Sequence, residues 1–161
     1  MKRTRRSGLL WALWLILPLA LTGCQGEAEA KNPPPAELAA ALMEGLEFDD
    51  QPEQVDQDAA MTVLGLDGWQ DKTEDCAAYM GSGATPEQIV VLRAADEESA
   101  QQMAQSLEQS YLRQLKDSFA DYAPAETPKI EDARLETRGR TVALCVCPDG
   151  EAAQTILDKE L

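Results

Sequence analysis

Large apolar residues recur at every fourth position between Asp96 and Tyr122, and this repeat constrains the fold more than any other feature. Residues spaced in this way share one face of an α-helix. Asp96 suits the position that caps the helix, and Pro124 prevents a long continuation. The pattern predicts one long helix over residues 96–122. Its apolar face comprises Met103, Leu107, Tyr111, Leu115 and Phe119, widened by Ala100, Ala104 and Leu112.

Four segments carry the patterns of β-strands. Residues 74–80 alternate and place Cys76 and Met80 on one face, whereas residues 88–94 are apolar on both faces, as an inner strand would be. Residues 131–147 predict a hairpin that turns at Gly139.

Three shorter helices complete the predicted domain. They cover residues 36–45, residues 54–64 and residues 151–161. The predicted order is therefore α-α-β-β-α-β-β-α, which indicates an α+β fold with a mainly antiparallel four-stranded sheet packed by the long helix. Residues 36–161 have the size of one ordinary domain with a single core.

The start of the chain has the pattern of an export signal. Four basic residues precede an apolar run over residues 8–21, which is shorter than the roughly 20 residues that span a bilayer as a helix. The run ends in Leu21, Thr22, Gly23 and Cys24, which resembles the lipobox of bacterial lipoproteins. The resemblance implies cleavage between Gly23 and Cys24 and a diacylglyceryl group on the Cys24 sulfur. An ordinary signal peptide or membrane anchor that ends in cysteine is the alternative.

The segment after Cys24 predicts a tether. Residues 1–23 would be the signal peptide, and residues 24–35 are polar and end in three prolines. The leader holds four of the 14 basic residues and none of the 29 acidic ones, so residues 24–161 carry a formal charge of −19. That charge repels phosphate backbones and anionic headgroups. We expect no nucleic-acid partner, and a membrane contact made through the lipid on Cys24, on the outer side of the cell membrane.

Two glycines flank a serine at Gly81, Ser82 and Gly83, where a phosphate loop or a nucleophile turn could be sought. The phosphate-loop lysine is missing, and the glycines are too close together for a hydrolase elbow. The following stretch from Thr85 to Gln88 has the spacing of a capping box over one short turn. The segment predicts a turn between two strands, with a ligand-contacting loop as the alternative.

Three cysteines follow Cys24, namely Cys76, Cys145 and Cys147. Cys145 and Cys147 share one face of a strand, and a bridge between such neighbours is strained. Cys76 can form a disulfide with either one if its strand lies alongside; buried free thiols are the other interpretation.

The chain contains no histidine, which excludes Ser-His and Cys-His nucleophile pairs. The acidic clusters lack the pattern of a calcium loop. We assign no catalytic residue, metal ligand or cofactor from the sequence.

Several of these segments in combination resemble a family of bacterial lipoproteins that share a domain of unknown function, family 4358. The resemblance rests on residues 74–84, residues 87–91 and the end of the long helix over residues 119–124. It implies an anchored envelope protein and supplies no activity. The expected function is a non-catalytic surface module that binds a protein or a small molecule. A small envelope enzyme using carboxylates or a cysteine, and a structural accessory of an envelope complex, are the alternatives.

Overall fold

A computed structural model of the chain describes residues 32–161, which form a five-stranded antiparallel sheet with helices on both faces. The strand order across the sheet is β1-β2-β3-β5-β4. The strands are β1 (Glu53–Val55), β2 (Thr73–Met80), β3 (Gln88–Ala94), β4 (Arg134–Arg138) and β5 (Thr141–Val146). The α-helices are α1 (Pro35–Gly45), α2 (Gln57–Val63), α3 (Glu97–Ser106), α4 (Leu112–Tyr122), α5 (Thr127–Glu131) and α6 (Gly150–Glu160), with single 3-10 turns at Gln70–Lys72 and Pro124–Glu126.

The sheet separates two hydrophobic clusters. On one face, α2, α3 and α4 cover a cluster that includes Val90, Leu92 and Leu144. On the other face, α1 and α6 cover a cluster that includes Ile89 and Val91. Because successive side chains of a strand point to opposite faces, the central strand β3 contributes to both clusters. This explains why its central residues, 89–92, are all apolar.

The mixed helix and strand content, the single domain and the antiparallel sheet are confirmed, but the prediction of four strands is wrong. The additional strand, β1, pairs with the end of β2, with Glu53 opposite Met80 and Val55 opposite Ala78. A strand of three residues is too short to show an alternating pattern in the sequence. These residues form a strand only because they pair with β2, a distant segment. The helix expected over residues 54–64 therefore begins later, at Gln57, where the Asp56 side chain accepts a hydrogen bond from the Ala59 N–H. The five-residue helix α5 was also not predicted.

The predicted long helix forms, with an internal π-helical turn at Leu107–Tyr111. The Leu112 N–H donates to the Leu107 carbonyl, five residues back. An apolar residue at every fourth position drifts by about 40° per step around a helix of 3.6 residues per turn. The π-helical turn has more residues per turn and therefore reduces this drift. As a result, Leu107, Tyr111 and Phe119 are all buried in the same cluster.

The predicted cap and hairpin turn are also present. The Asp96 side chain accepts a hydrogen bond of 2.6 Å from the Ser99 N–H at the start of α3. Gly139 has a φ of +55° and Arg140 does not have a positive φ, as in the type II′ turn that connects two strands of a hairpin.

The signal peptide, Cys24 and residues 24–31 of the tether lie outside the described residues. Within residues 32–161, no helix has the length and apolar character needed to cross a membrane.

Candidate functional site

A cleft of about 260 Å³ lies between the β2–β3 loop and the long helix. The loop side contains all three residues of the Gly81-Ser82-Gly83 segment, and the helix side contains Tyr111, Leu115 and Phe119. Val63 of α2 is 54% exposed at the rim, and Met80 also faces the cleft. The remaining lining residues are Thr85, Pro86, Glu87 and Gln88. The cleft therefore combines apolar side chains on one wall with hydroxyl, amide and carboxylate groups on the other.

Asp50 holds the loop in place from outside the hairpin. Its Oδ2 accepts hydrogen bonds from the N–H and the hydroxyl of Ser82, both at 2.7 Å. These bonds, with the hydroxyl contributing most, lower the pKa of the Asp50 carboxyl below its ordinary value. A Cβ atom at Gly81 would lie 3.0 Å from the Asp50 Oδ2 and 3.1 Å from the Glu87 carbonyl oxygen. A side chain at position 81 would fit only if these groups moved by a few tenths of an ångström.

Glu87 lies beneath the loop with a fully buried side chain. Its two carboxylate oxygens accept hydrogen bonds from the N–H groups of Asp49, at 3.1 Å, and Asp50, at 2.8 Å. Lys129 supplies a third bond at 2.8 Å. A buried carboxylate with these donors has its charge compensated and its lone pairs used. Glu87 therefore anchors the residue 49–50 segment to the hairpin.

The capping box predicted over Thr85 to Gln88 is not formed, because no helical turn begins there. Glu87 does accept from main-chain N–H groups, but these belong to residues about 37 positions earlier in the chain.

Lys129 joins three carboxylates at the edge of the cleft. Its Nζ lies 2.7 Å from Asp49, 2.8 Å from Glu87 and 2.7 Å from Glu126. Burial on its own lowers the pKa of Lys129, but the hydrogen bonds to Asp49, Glu126 and Glu87 outweigh burial and raise it. The ammonium group stays charged and ties α5 to the base of the hairpin.

Tyr111 brings a polar group to the apolar wall. Its hydroxyl donates a buried hydrogen bond of 2.8 Å to the Gln88 side-chain oxygen. Burial raises the pKa of Tyr111. Tyr111 ends the π-helical turn, and such turns often occur at functional sites because they redirect side chains.

The groups around the cleft are suited to binding. Hydroxyl and amide groups orient a ligand, whereas a general base needs a carboxylate that is free to accept a proton. Glu87 is instead bonded to three donors. Among residues 32–161, no group of three or more cysteine, aspartate or glutamate side chains converges in a way that could hold a metal ion.

The possible disulfide between Cys76 and Cys145 or Cys147 is not present, and all three thiols are free, as in the other interpretation of the sequence. Cys76 packs against the cluster under the long helix, whereas Cys145 and Cys147 belong to the cluster under α1 and α6. Strand β3 also lies between β2 and β5. The disulfide does not form because the thiols point to opposite faces of the sheet from strands that are not neighbours.

The free thiols differ in environment. Burial and the charge of Asp75 raise the pKa of Cys76 to about 11. The neighbouring Cys147 thiol, together with burial, raises the pKa of Cys145. The Cys147 thiol also donates to the Asp149 carbonyl at 3.2 Å. These thiols fill the core and do not face the cleft.

A family model described as a domain of unknown function, DUF4358, matches residues 46–147, which is more than half of the chain. The chain belongs to this family. The DUF4358 segment includes every residue that lines the cleft, together with Asp50 and Lys129. It excludes α1 and α6, the two helices on the opposite face of the sheet. No curated protein and no solved structure matches the chain.

Sequence reasoning found the glycine-serine loop but missed the residues that support it. No functional role was predicted for Asp50, and Glu87 was predicted to lie within a local cap. One usable signal for Glu87 was an acidic residue at the start of a strand whose centre, residues 89–92, is apolar on both faces, where burial is expected. No local pattern linked it to Lys129, which is 42 residues away.

Proposed function

We propose that this DUF4358 protein is a membrane-anchored bacterial surface lipoprotein whose domain is a non-catalytic binding module. In this proposal, residues 1–23 are the signal peptide, Cys24 carries the lipid and residues 24–35 are the tether. The charge of the remaining chain favours attachment through the lipid over attachment through a basic surface.

The observation that carries the binding role is the composition of the cleft. Its volume of about 260 Å³ suits a small molecule or a single large side chain. Leu115 and Phe119 offer apolar contact on the helix wall, and Met80 offers it beside the loop, where Ser82 and Gln88 offer hydrogen-bonding groups. The ligand class we propose is therefore a small amphipathic molecule with an apolar part and a neutral polar end.

The position of the tether supports access to the cleft from outside. Arg93 donates to the carbonyl oxygens of Asn32 and Pro33, and the Thr141 hydroxyl donates to the Asn32 side chain at 3.0 Å. Arg93 and Gln88 lie near opposite ends of β3, about 17 Å apart at 3.3 Å per residue. The chain thus enters the domain at one end of the sheet, and the cleft opens at the other.

A thermal-shift screen of the full-length protein in detergent micelles tests the binding role. The panel holds amphipathic small molecules such as N-acylated sugars, N-acyl amino acids and short apolar peptides. A ligand at about 100 times its dissociation constant adds about 2.7 kcal/mol of stability. The shift should be lost in Leu115→Gln, in the cleft, and kept in Leu112→Gln, on the same helix but outside the cleft. Equal loss in both variants would contradict the proposed site.

Metabolic labelling with an alkyne-tagged fatty acid tests the anchor separately. The wild-type protein should take up label and sediment with membranes, and Cys24→Ser should lose both properties. Cys76→Ser is the matched control and should keep them. Label retained by Cys24→Ser would overturn the lipoprotein assignment while leaving the cleft untouched.

A further inference from the structure

We propose that the outer edge of β4, together with the groove beside it, binds an extended basic segment of another polypeptide as an added β-strand. This surface is separate from the cleft at the β2–β3 loop. β4 is the last strand of the sheet on its side, and no other segment of residues 32–161 pairs with its outer edge.

The hairpin geometry presents main-chain groups at this edge. In the two-residue turn, Arg138 and Thr141 form the first pair, so alternate residues of β4 exchange hydrogen bonds with β5. The N–H and C=O groups of Leu135 and Thr137 consequently point outward. These are the groups that an added strand requires.

A groove of about 470 Å³ runs between β4 and the long helix on the same side. Leu135 and Thr137 form its sheet wall, so the residues with outward-facing main-chain groups also project side chains into the groove. The helix wall and the floor are lined by Gln101, Ala104, Gln105, Glu108, Leu112 and Ala133. Alternate side chains of an added strand would enter this groove and contact Leu112 and Leu135.

The edge lacks the protection that sheet edges usually carry. Edge strands are commonly guarded by outward-facing charges or by proline. Here the charged residues of β4 are engaged on the opposite face, where Arg138 pairs with Asp158 of α6 and Glu136 bonds to Gln154. Arg134 likewise donates to the Gly150 carbonyl and pairs with Asp132. The groove side of the strand is free of these contacts.

Charge identifies the occupant as basic. Glu108 lines the groove, and the residues that line it include no cationic side chain. Glu97 lies close to the turn end, about 4.0 Å from where a Cβ on Gly139 would be. A second copy of this chain fits poorly, because each copy carries a net charge of −15, or −19 without residues 1–23. A symmetric antiparallel pair centred on Glu136 would also set Glu136 against its counterpart and Arg134 against Arg138, which is unfavourable.

The test uses a short labelled peptide in which lysine and valine alternate, with the full-length protein in neutral detergent micelles. We expect saturable binding, seen by fluorescence anisotropy, and slower hydrogen exchange at residues 134–138. A peptide in which glutamate replaces lysine should bind at least about ten-fold more weakly. Glu108→Lys should weaken binding of the lysine peptide about three- to ten-fold. Asp117→Lys, the same charge change on an exposed part of the same helix, should leave it nearly unchanged.

A main-chain variant tests the added strand itself. Thr137→Pro removes an outward-facing N–H and should weaken binding about three- to ten-fold, whereas Thr137→Val keeps that donor and the side-chain shape. If Thr137→Pro fails to fold, the comparison of Glu108→Lys with Asp117→Lys still tests whether the peptide binds in the groove. The proposal is overturned by equal affinity for the two peptides, by protection at residues 80–88 instead of β4, or by no binding up to about 1 mM peptide.

Discussion

Lys129 Nζ lies 2.8 Å from the Oε1 of Glu87, and this ion pair joins α5 to the base of the β2–β3 hairpin. The Glu87 side chain is fully buried, and that of Lys129 is 13% exposed. The pair is thus inside the protein and close to the cleft, where it supports the loop that forms one wall.

Removal of Lys129 should destabilise the fold strongly. Lys129→Met leaves the Glu87 charge buried with only its two main-chain donors, so we expect a loss of about 3 kcal/mol in the free energy of unfolding. Urea unfolding followed by circular dichroism measures it. Lys116→Met, which removes an ion pair that is about half exposed on both sides, is the control and should cost about 1 kcal/mol or less. A similar loss in both variants would show that the Glu87 pair contributes little.

Acid should weaken the attachment of the loop through Asp50. The folded pKa of this carboxyl is lowered below its ordinary value of 3.8, chiefly by the Ser82 hydroxyl and N–H. Its contribution to stability is therefore complete above about pH 4 and lost as the pH falls through the lower folded pKa. Asp50→Asn should lose less stability than the wild type between pH 4 and pH 2, as measured by urea unfolding at a series of pH values. If the free energy of unfolding fell equally with pH in the two proteins, protonation of Asp50 would not be what weakens the loop.

Gly150 should tolerate no side chain. A Cβ atom there would overlap both the main-chain oxygen and the carboxylate of Asp132, whose Oδ2 accepts a hydrogen bond of 3.1 Å from the Gly150 N–H. We expect Gly150→Ala to cost about 3 kcal/mol because the start of α6 must move. Gly68→Ala is the control, since Gly68 has a φ of +87° with open space around it and should cost about 1 kcal/mol. Thermal unfolding compares the two variants. If Gly150→Ala destabilised the protein less than Gly68→Ala does, α6 could move away from Asp132 without a loss of stability.

The three thiols should be unpaired and slow to react in the folded protein. Cys145 and Cys147 are each only 1% exposed, and the pKa of the half-buried Cys76 is raised to about 11. Alkylation with iodoacetamide followed by mass spectrometry should modify all three in denaturant without any reductant, and very little under native conditions. A fraction that resists alkylation until reductant is added would reveal a disulfide.

The patterns that depend on near neighbours in the sequence predicted their structures well. The apolar repeat predicted the helix over residues 96–122 and its cap at Asp96, and the two-sided apolar run predicted β3. Each pattern has its physical cause within a few residues, in the 3.6-residue period of a helix or the two-residue period of a strand. The same local reasoning predicted a turn at Gly81 to Gly83, and the lipobox at Cys24 stays a prediction from sequence.

The relationships between distant segments were decided only by the tertiary structure. Strand β1 exists because it pairs with β2, and the loop at Ser82 has its shape because Asp50, 32 residues earlier, accepts two of its hydrogen bonds. Alternation placed Cys145 on one side of its strand, but the sequence did not indicate that Cys76 lies on the opposite face of the assembled sheet. Such contacts follow from which apolar faces pack together, and that choice minimises the free energy of the whole chain rather than of any one segment.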